Sequence, residues 1–400
     1  MGAIVACPLS PTRCRGRCTR RANDTGEWVW IGQTEAVLDL DLMLADLATL
    51  VNVESPSRDL DALARSAATL AAVIEQRLGG CATLIESAAG PHVHWSGGGE
   101  PKVLVLGHHD TVFPIGSLAA RPFTVVDGRA MGPGVFDMKA GIVQAIHGIA
   151  ELADRSGVEI IISADEETGS RESRAFIEER ALVCGAVLVL EPSADGGALK
   201  TARKGTGTFE LVVHGRAAHA GLEPEKGVNA VVEAAHQILD IITFADTTTG
   251  TTVTPTMAVA GTADNVVPAL ATITVDVRVE AAGEKERIEA AMAGLTTRLV
   301  DSRLELRGGI NRPPMPASAS AWLFPLAEQV ATDLGLPPVV GVAVGGGSDG
   351  NFTAARGVAT LDGLGAVGGG AHADHEYVLV DTMPDRARLL GGIVAALQRR

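Results

Sequence analysis

Residues 158–170 read VEIIISADEETGS, an apolar run with β-branched side chains that ends on three consecutive acids, Asp165, Glu166 and Glu167. The apolar half has the composition of a strand buried on both faces. After it come a helical pattern, SRAFIEERAL (173–182), and a second buried run, GAVLVLEPS (185–193). Upstream, KVLVLGHHD (102–110) repeats the strand and KAGIVQAIHGIAELADRSG (139–157) the helix. This alternation predicts an α/β sheet that is at least partly parallel. Ligands of such sheets collect beyond the carboxyl ends of the strands. The acidic turn is therefore either plain solvated surface or part of a cation site.

The same texture extends outward. EAVLDLDLMLADLATLVNVES (35–55) and SRDLDALARSAATLAAVIEQRLGG (57–80) are apolar at helical spacing, the second stopped by Gly79-Gly80. Past Lys204 the pattern changes. GTFELVVHGRAAHAG (207–221) reads as strand then turn, GVNAVVEAAHQILDIITFA (227–245) as helix, and residues 254–280 as paired strands. EKERIEAAMAGLTTRLV (284–300) is a further helix. Residues 204–311 thus form an inserted α+β sandwich. It interrupts an α/β domain made of residues 34–203 and 312–400, a mixed sheet flanked by helices. Residues 1–33 differ: five arginines, Arg13 to Arg21, stand beside Cys7, Cys14 and Cys18 without apolar periodicity. No apolar segment follows them, so a secretory signal is not indicated. A disordered leader, or a start assigned too far upstream, is the expectation.

Bulk properties narrow the function. The 400-residue chain is 46% hydrophobic and 20% charged, which is globular, and only 3% aromatic, so its cores are aliphatic. A net charge of -15 argues against nucleic acid, whose phosphates need a basic surface. No apolar run reaches the ~20 residues that span a bilayer. Five cysteines make no disulfide framework in a chain of this size, so the cytoplasm is the expected compartment.

Polar residues collect at the strand tips. His108 and Asp110 follow VLVLG and share a face, because side chains alternate along extended backbone. Asp110 is placed to orient a metal-bound His108. Asp137 follows GPGVF, Glu191 ends GAVLVL, and His372 lies in GGGAHADHEYV (368–378). Singly, each has a plainer explanation: a hydrogen-bonded core histidine, a helix cap, a surface strand end. Jointly, they do not fall at successive strand ends by chance.

Six motifs, GHHDTV, GPGVFDMKAG, SADEETGS, EPS, GRAAHAGLEPEKGVNA and GGGAHADHEYV, occur in the order seen in the M20 metallopeptidases. From about residue 35 onward the chain resembles that family, most of all its glutamate carboxypeptidase (carboxypeptidase G) branch. The resemblance implies a zinc-peptidase-like catalytic domain with two Zn²⁺. His108, Asp137 and Glu191 would bind one ion, and Asp137, Glu167 and His372 the other, with Asp137 bridging. Four positive charges against three carboxylates leave room for one hydroxide, which accounts for the acidic turn. Two imidazole ligands favour zinc over magnesium, with Co²⁺ or Mn²⁺ able to substitute. Glu166, projecting opposite to Glu167, becomes the general base.

By the same resemblance the insertion is a lid and dimerisation domain. Arg278 would grip a terminal carboxylate, His219 would stabilise the oxyanion, and Asn265 would touch substrate. His219 and Asn265 would act in the partner subunit of a homodimer. Ser348, in the glycine-rich GVAVGGGSDG (341–350), would line the carboxylate pocket. Arg312, just past the insertion, would either contact substrate or sit at the hinge, and the Arg203-Lys204 pair falls at the domain junction. The expected reaction is hydrolysis of a peptide or amide bond next to a C-terminal amino acid. The alternatives are an N-acyl-amino-acid deacylase, such as acetylornithine deacetylase or succinyl-diaminopimelate desuccinylase, and a metal- or amino-acid-binding protein without turnover.

Overall fold

The structure is a computed structural model describing residues 38–400, with the backbone of a two-stranded antiparallel ribbon, Cys18–Ala22 and Trp28–Gly32. The leader proposed for residues 1–33 otherwise lies outside the described residues, Cys7 and Cys14 included.

Helices α1 (Leu40–Val51) and α2 (Leu60–Leu78) each start on an aspartate, Asp39 and Asp59, whose side chain accepts an amide of the first turn. Strands β1 (Ala82–Ile85) and β2 (His92–Ser96) form a hairpin that the sequence pattern did not announce. There follow β3 (Val103–His108), α3 (Ala140–Ala150), β4 (Val158–Ser163), α4 (Arg174–Cys184) and β5 (Ala186–Val189). The six-stranded sheet runs Ala359–Leu361, β5, β3, β4, β2, β1. Its first four strands are parallel and the β2–β1 hairpin closes one edge antiparallel.

β3, β4 and β5 are buried along their whole length. Val103, Val105, Ile160, Ile162 and Leu188 pack toward α1, α2, α3 and the C-terminal helix Met383–Gln398. Leu104, Leu106, Ile161, Val187 and Val189 pack toward α4 on the other face. Covering both faces removes the polar/apolar alternation and explains the continuous apolar runs. In register, His108 lies opposite Ser163 and Leu106 opposite Val189, so three strands end at one edge.

The insertion comprises β6 (Gly205–His214), α5 (Ala230–Ile241), β7 (Thr252–Ala260), β8 (Leu270–Val279), α6 (Glu284–Ala293) and β9 (Arg303–Arg312). Its antiparallel sheet has the order β7, β8, β6, β9, with both helices on one face over a separate core. Alternation along β8 buries Ile273, Val275 and Val277 under those helices. Asp276 and Arg278 therefore face the other way. The mixed α/β sheet with an inserted α+β layer pair is the architecture the sequence implied. No described helix is long and apolar enough to cross a membrane.

Candidate metal centre

A second, small sheet prepares the site. Gly368–Gly369, Tyr377–Leu379, Arg129–Met131 and Thr124–Val126 pair in that order. This sheet lays the GGGAHADHEYV loop beside the GPGVFD turn, far apart in sequence. The turn itself needs Gly134 at φ 73°, where a Cβ would also come within 2.5 Å of Thr111.

Five side chains converge there. His108 is the last residue of β3 and is buried; its Nδ1–H donates to the Asp110 carbonyl at 2.9 Å. The other ring nitrogen, Nε2, is 3.2 Å from Asp137 Oδ1 and 3.7 Å from Glu191 Oε1. His372 approaches from the opposite side, with Nε2 3.4 Å from Asp137 Oδ2 and 3.2 Å from Glu167 Oε2. Each oxygen of Asp137 thus faces a different imidazole. His108, Asp137 and Glu167 offer ligand atoms within 4.8 Å of one another, and so do His108, Glu166 and Glu191.

Without a cation this assembly is electrostatically unbalanced. Burial pushes the Glu191 carboxyl up to about 7, and the charge of Asp137 adds to the effect. Burial also raises Glu166 well above the ordinary range; Glu191 adds to this and Arg312 opposes it. Hydrogen bonds to Asp137 and Glu167 pull His372 up to about 10. Burial alone would lower His108, but Asp110 and Asp137 outweigh it and hold the ring well above its usual value. A divalent cation would reverse this pattern, favouring ionised carboxylates and neutral imidazoles. Asp137 Oδ1 and Glu167 Oε1 are buried and have no hydrogen-bond donor. Buried acceptors left without donors, clustered with two imidazoles, fit a metal; the mixed nitrogen and oxygen set suits Zn²⁺, Co²⁺ or Mn²⁺ better than Mg²⁺.

Several residues act differently from the sequence reading. The Asp110 carboxylate stands 3.5 Å from His108 Nδ1 and leaves that hydrogen bond to its own carbonyl. It accepts instead from Ser57 Oγ at 2.8 Å and from the amides of Glu166 and Glu167 at 3.2 and 3.3 Å. Asp110 therefore orients the histidine by main chain and the acidic turn by side chain. Ser348 needs correction as a pocket residue. It is fully buried and its hydroxyl donates to Asp362 at 2.6 Å, so Gly347 lines the cavity in its place.

Arg312 ends β9 at the hinge and also lines the cavity described below. Its Nη2 donates to Glu166 Oε1 at 2.8 Å, Ser170 Oγ at 3.1 Å and Asp349 Oδ1 at 3.3 Å. Two residues given no site role in the sequence reading also matter. Arg203 forks onto Asp362 at 2.7 and 2.9 Å and stands 3.4 Å from Glu191 Oε2. Glu376, four residues beyond His372, accepts from the amides of Gly134, Phe136 and Asp137. Burial pushes its carboxyl up to about 7, against those three amides. The usable signals were a lone buried-run arginine in TARKG and an acid inside the already conspicuous HADHEYV.

A cavity of about 800 Å³ opens over Glu166, Glu167 and His372 and reaches the insertion at Thr206, Asp276 and Arg278. Arg278 is held by Asp276 at 2.8 and 2.9 Å. His219 and Asn265 are not brought to this cavity by their own chain. They lie together on an exposed turn, where the Ala220 amide donates to the Asn265 carbonyl and His219 Nδ1 accepts from Gly221 and Leu222.

A carboxylate bridging two imidazoles at the strand ends of a mixed α/β sheet, under an inserted domain, defines a metal-dependent hydrolase. Residues 104–396 match peptidase family M20/M25/M40, and the chain belongs to that family. It is 30% identical to carboxypeptidase G2 of Pseudomonas sp. (strain RS-16) over 373 residues, 89% of each chain. Its fold is similar to the aminopeptidase PepT of Bacillus cereus, with a TM-score of 0.71, 21% identity, and 91% and 100% of the two chains covered. It is also similar to the YXEP protein of Bacillus subtilis, a dinuclear metal-binding M20 peptidase, at a TM-score of 0.61 and 16% identity over 90% and 99% of the chains.

Proposed function

We propose that this hydrolase cleaves a peptide or amide bond next to a C-terminal amino acid, in the manner of a glutamate carboxypeptidase. The observation that carries the reading is Asp137, with one oxygen toward each histidine, set beside Glu167 and His372, which line a cavity that reaches Arg278. His108, Asp137 and Glu191 would hold one ion and Asp137, Glu167 and His372 the other, Zn²⁺ with Co²⁺ or Mn²⁺ as substitutes. When bound, the ions supply Lewis acidity at the scissile carbonyl.

The chain's own residues do the rest. Glu166 takes a proton from the attacking water and returns it to the leaving nitrogen. Arg278, its guanidinium plane set by Asp276, receives the terminal carboxylate through paired charged hydrogen bonds. Arg58 and Arg171 add positive charge to the same cavity, which suits an anionic substrate.

His219 and Asn265 complete the site from a second copy of the chain. β7 is an edge strand with Met257 and Val259 exposed at 61% and 66%, and Leu239 on α5 is exposed at 61%. An unpaired apolar edge of this kind invites pairing with a copy of itself. The deciding assay is release of amino acid from folate-like, N-acyl and dipeptide substrates, with and without chelator. Release from N-succinyl or N-acetyl substrates alone would turn the reading to a deacylase, and no release from any would refute catalysis of this type. For the dimer, mixing Glu166→Gln with His219→Ala protein should restore activity that neither has; no restoration would place His219 in its own subunit or outside the reaction.

A further inference from the structure

Glu376 lies in a loop whose histidine is a candidate ligand, yet the carboxylate does not face the ligand cluster. It turns away and is 1% exposed. Its Oε1 accepts the Phe136 amide at 2.9 Å and the Asp137 amide at 2.8 Å, while Oε2 accepts the Gly134 amide at 2.9 Å. Three amides of one turn therefore point inward onto a single carboxylate. The last of them belongs to Asp137, the residue that faces both histidines.

The other end of the same loop carries His372. Gly370 and His372 both take positive φ, 77° and 63°. The Ala373 amide returns to the Gly370 carbonyl at 2.9 Å and the Glu376 amide to the Ala373 carbonyl at 3.1 Å. Glu376 is thus joined to His372 by two tight turns and to Asp137 by direct hydrogen bonds. Beyond it, Tyr377–Leu379 pairs with Arg129–Met131, the strand that leads into the Gly134 turn. The strand pairing aligns the two loops; only the carboxylate reaches the Asp137 amide.

Resting on the two-metal reading above, we infer that Glu376 is a positioning residue. It fixes the distance between Asp137 and His372, and so the ability of the centre to hold its ions as a pair. It touches no substrate and binds no metal. Partners of metal ligands set ligand orientation, and their loss weakens metal affinity by about 10–100-fold. A carboxylate bound to backbone amides fixes the ligand's main chain rather than its side chain, so the Asp137 carboxylate stays free to bridge.

The chemistry predicts a graded series. In Glu376→Gln the amide oxygen still accepts from Phe136 and Asp137, but the NH₂ meets the Gly134 N–H donor to donor. In Glu376→Leu all three amides lose their acceptor. Zinc affinity is read by competition with a chromophoric chelator, and ligand geometry by the visible absorption of Co²⁺-loaded protein. Melting of the metal-free protein is the control for folding. The expected result is two ions in the wild type, affinity lower by about 10-fold in Glu376→Gln and by about 100-fold in Glu376→Leu, and altered Co²⁺ bands in both. Wild-type affinity and bands in folded Glu376→Leu would overturn the inference and leave Glu376 a plain staple of the fold. Should Glu376→Leu fail to fold, unchanged affinity and bands in Glu376→Gln would overturn it equally. If the wild type itself binds no ion, or Asp137→Ala binds as well as wild type, the metal centre has failed rather than the role of Glu376.

Discussion

The two walls of the cavity are built on opposite plans. At the sheet edge four of the five candidate ligands are fastened by something else. His108 is held by the Asp110 carbonyl, Asp137 by Glu376, the Glu167 amide by Asp110, and Glu191 by Arg203. On the insertion, Arg278 has one partner, Asp276, and His219 and Asn265 are exposed. Metal chemistry tolerates little displacement and sits on strands packed on both faces. The insertion is built on a separate core of its own. Arg312 joins the two: it closes β9 of the insertion and bonds the candidate base Glu166.

If this division is right, perturbing the fastened wall should abolish turnover, while perturbing the insertion should weaken selection. Chelation is the largest effect. Stripping the protein of metal should remove essentially all amide hydrolysis, and added Zn²⁺ should restore it; activity that persists with no bound metal by elemental analysis breaks the comparison at its base. Next, Glu166→Gln should cut kcat by about 10²–10⁴-fold. Metal content should stay at the wild-type level in that variant, and full activity would remove Glu166 as the base. Arg278→Ala should lower kcat/KM by about 10–100-fold, mainly through KM, matching the ~1.5–3 kcal/mol of a charged hydrogen bond. A loss confined to kcat would place Arg278 with the reacting atoms instead.

The smallest effect is a stability control inside the fastened half. Asp46 of α1 accepts from Arg77 of α2 at 2.7 and 2.8 Å and lies 2.7 Å from His147 of α3. Burial alone would raise its carboxyl, but the hydrogen bonds from Arg77 and His147 outweigh it and hold the pKa below the usual range. A depressed folded pKa stabilises above the unfolded value, about 3.9, and the gain disappears as pH falls through the folded one. Asp46→Asn should therefore lower Tm by a margin that is constant from pH 8 to about 5 and narrows below about 4. KM at pH 7 should not move. A margin that grows toward acid would reverse the assigned sign.

Much of the centre was legible because its logic is local. Apolar runs ending in His108, Glu167 and Glu191 needed only the rule that parallel strands present their carboxyl ends at one edge. Glu376 escaped because its partner amide is 239 residues away, and a buried carboxylate looks the same in sequence as a solvated one. Ser348 was misread for the complementary reason. A serine between glycines suggests a ligand loop, but packing turned its hydroxyl onto Asp362. Asp110 was given its neighbour His108 by period-two geometry, which places a side chain on a face without saying that the carbonyl, at 2.9 Å, would lie nearer the ring than the carboxylate, at 3.5 Å.

Sequence alone therefore determined the α/β class, the inserted domain and the candidate ligands at the strand ends. Periodicity, turn residues and donor chemistry are properties of short segments. Tertiary structure alone decided that Arg312 grips Glu166, that Glu376 gathers the amides of the Asp137 turn, and that the Ser348 hydroxyl turns onto Asp362. Those facts depend on how distant segments pack, and a buried contact between them leaves no pattern in the residues on either side.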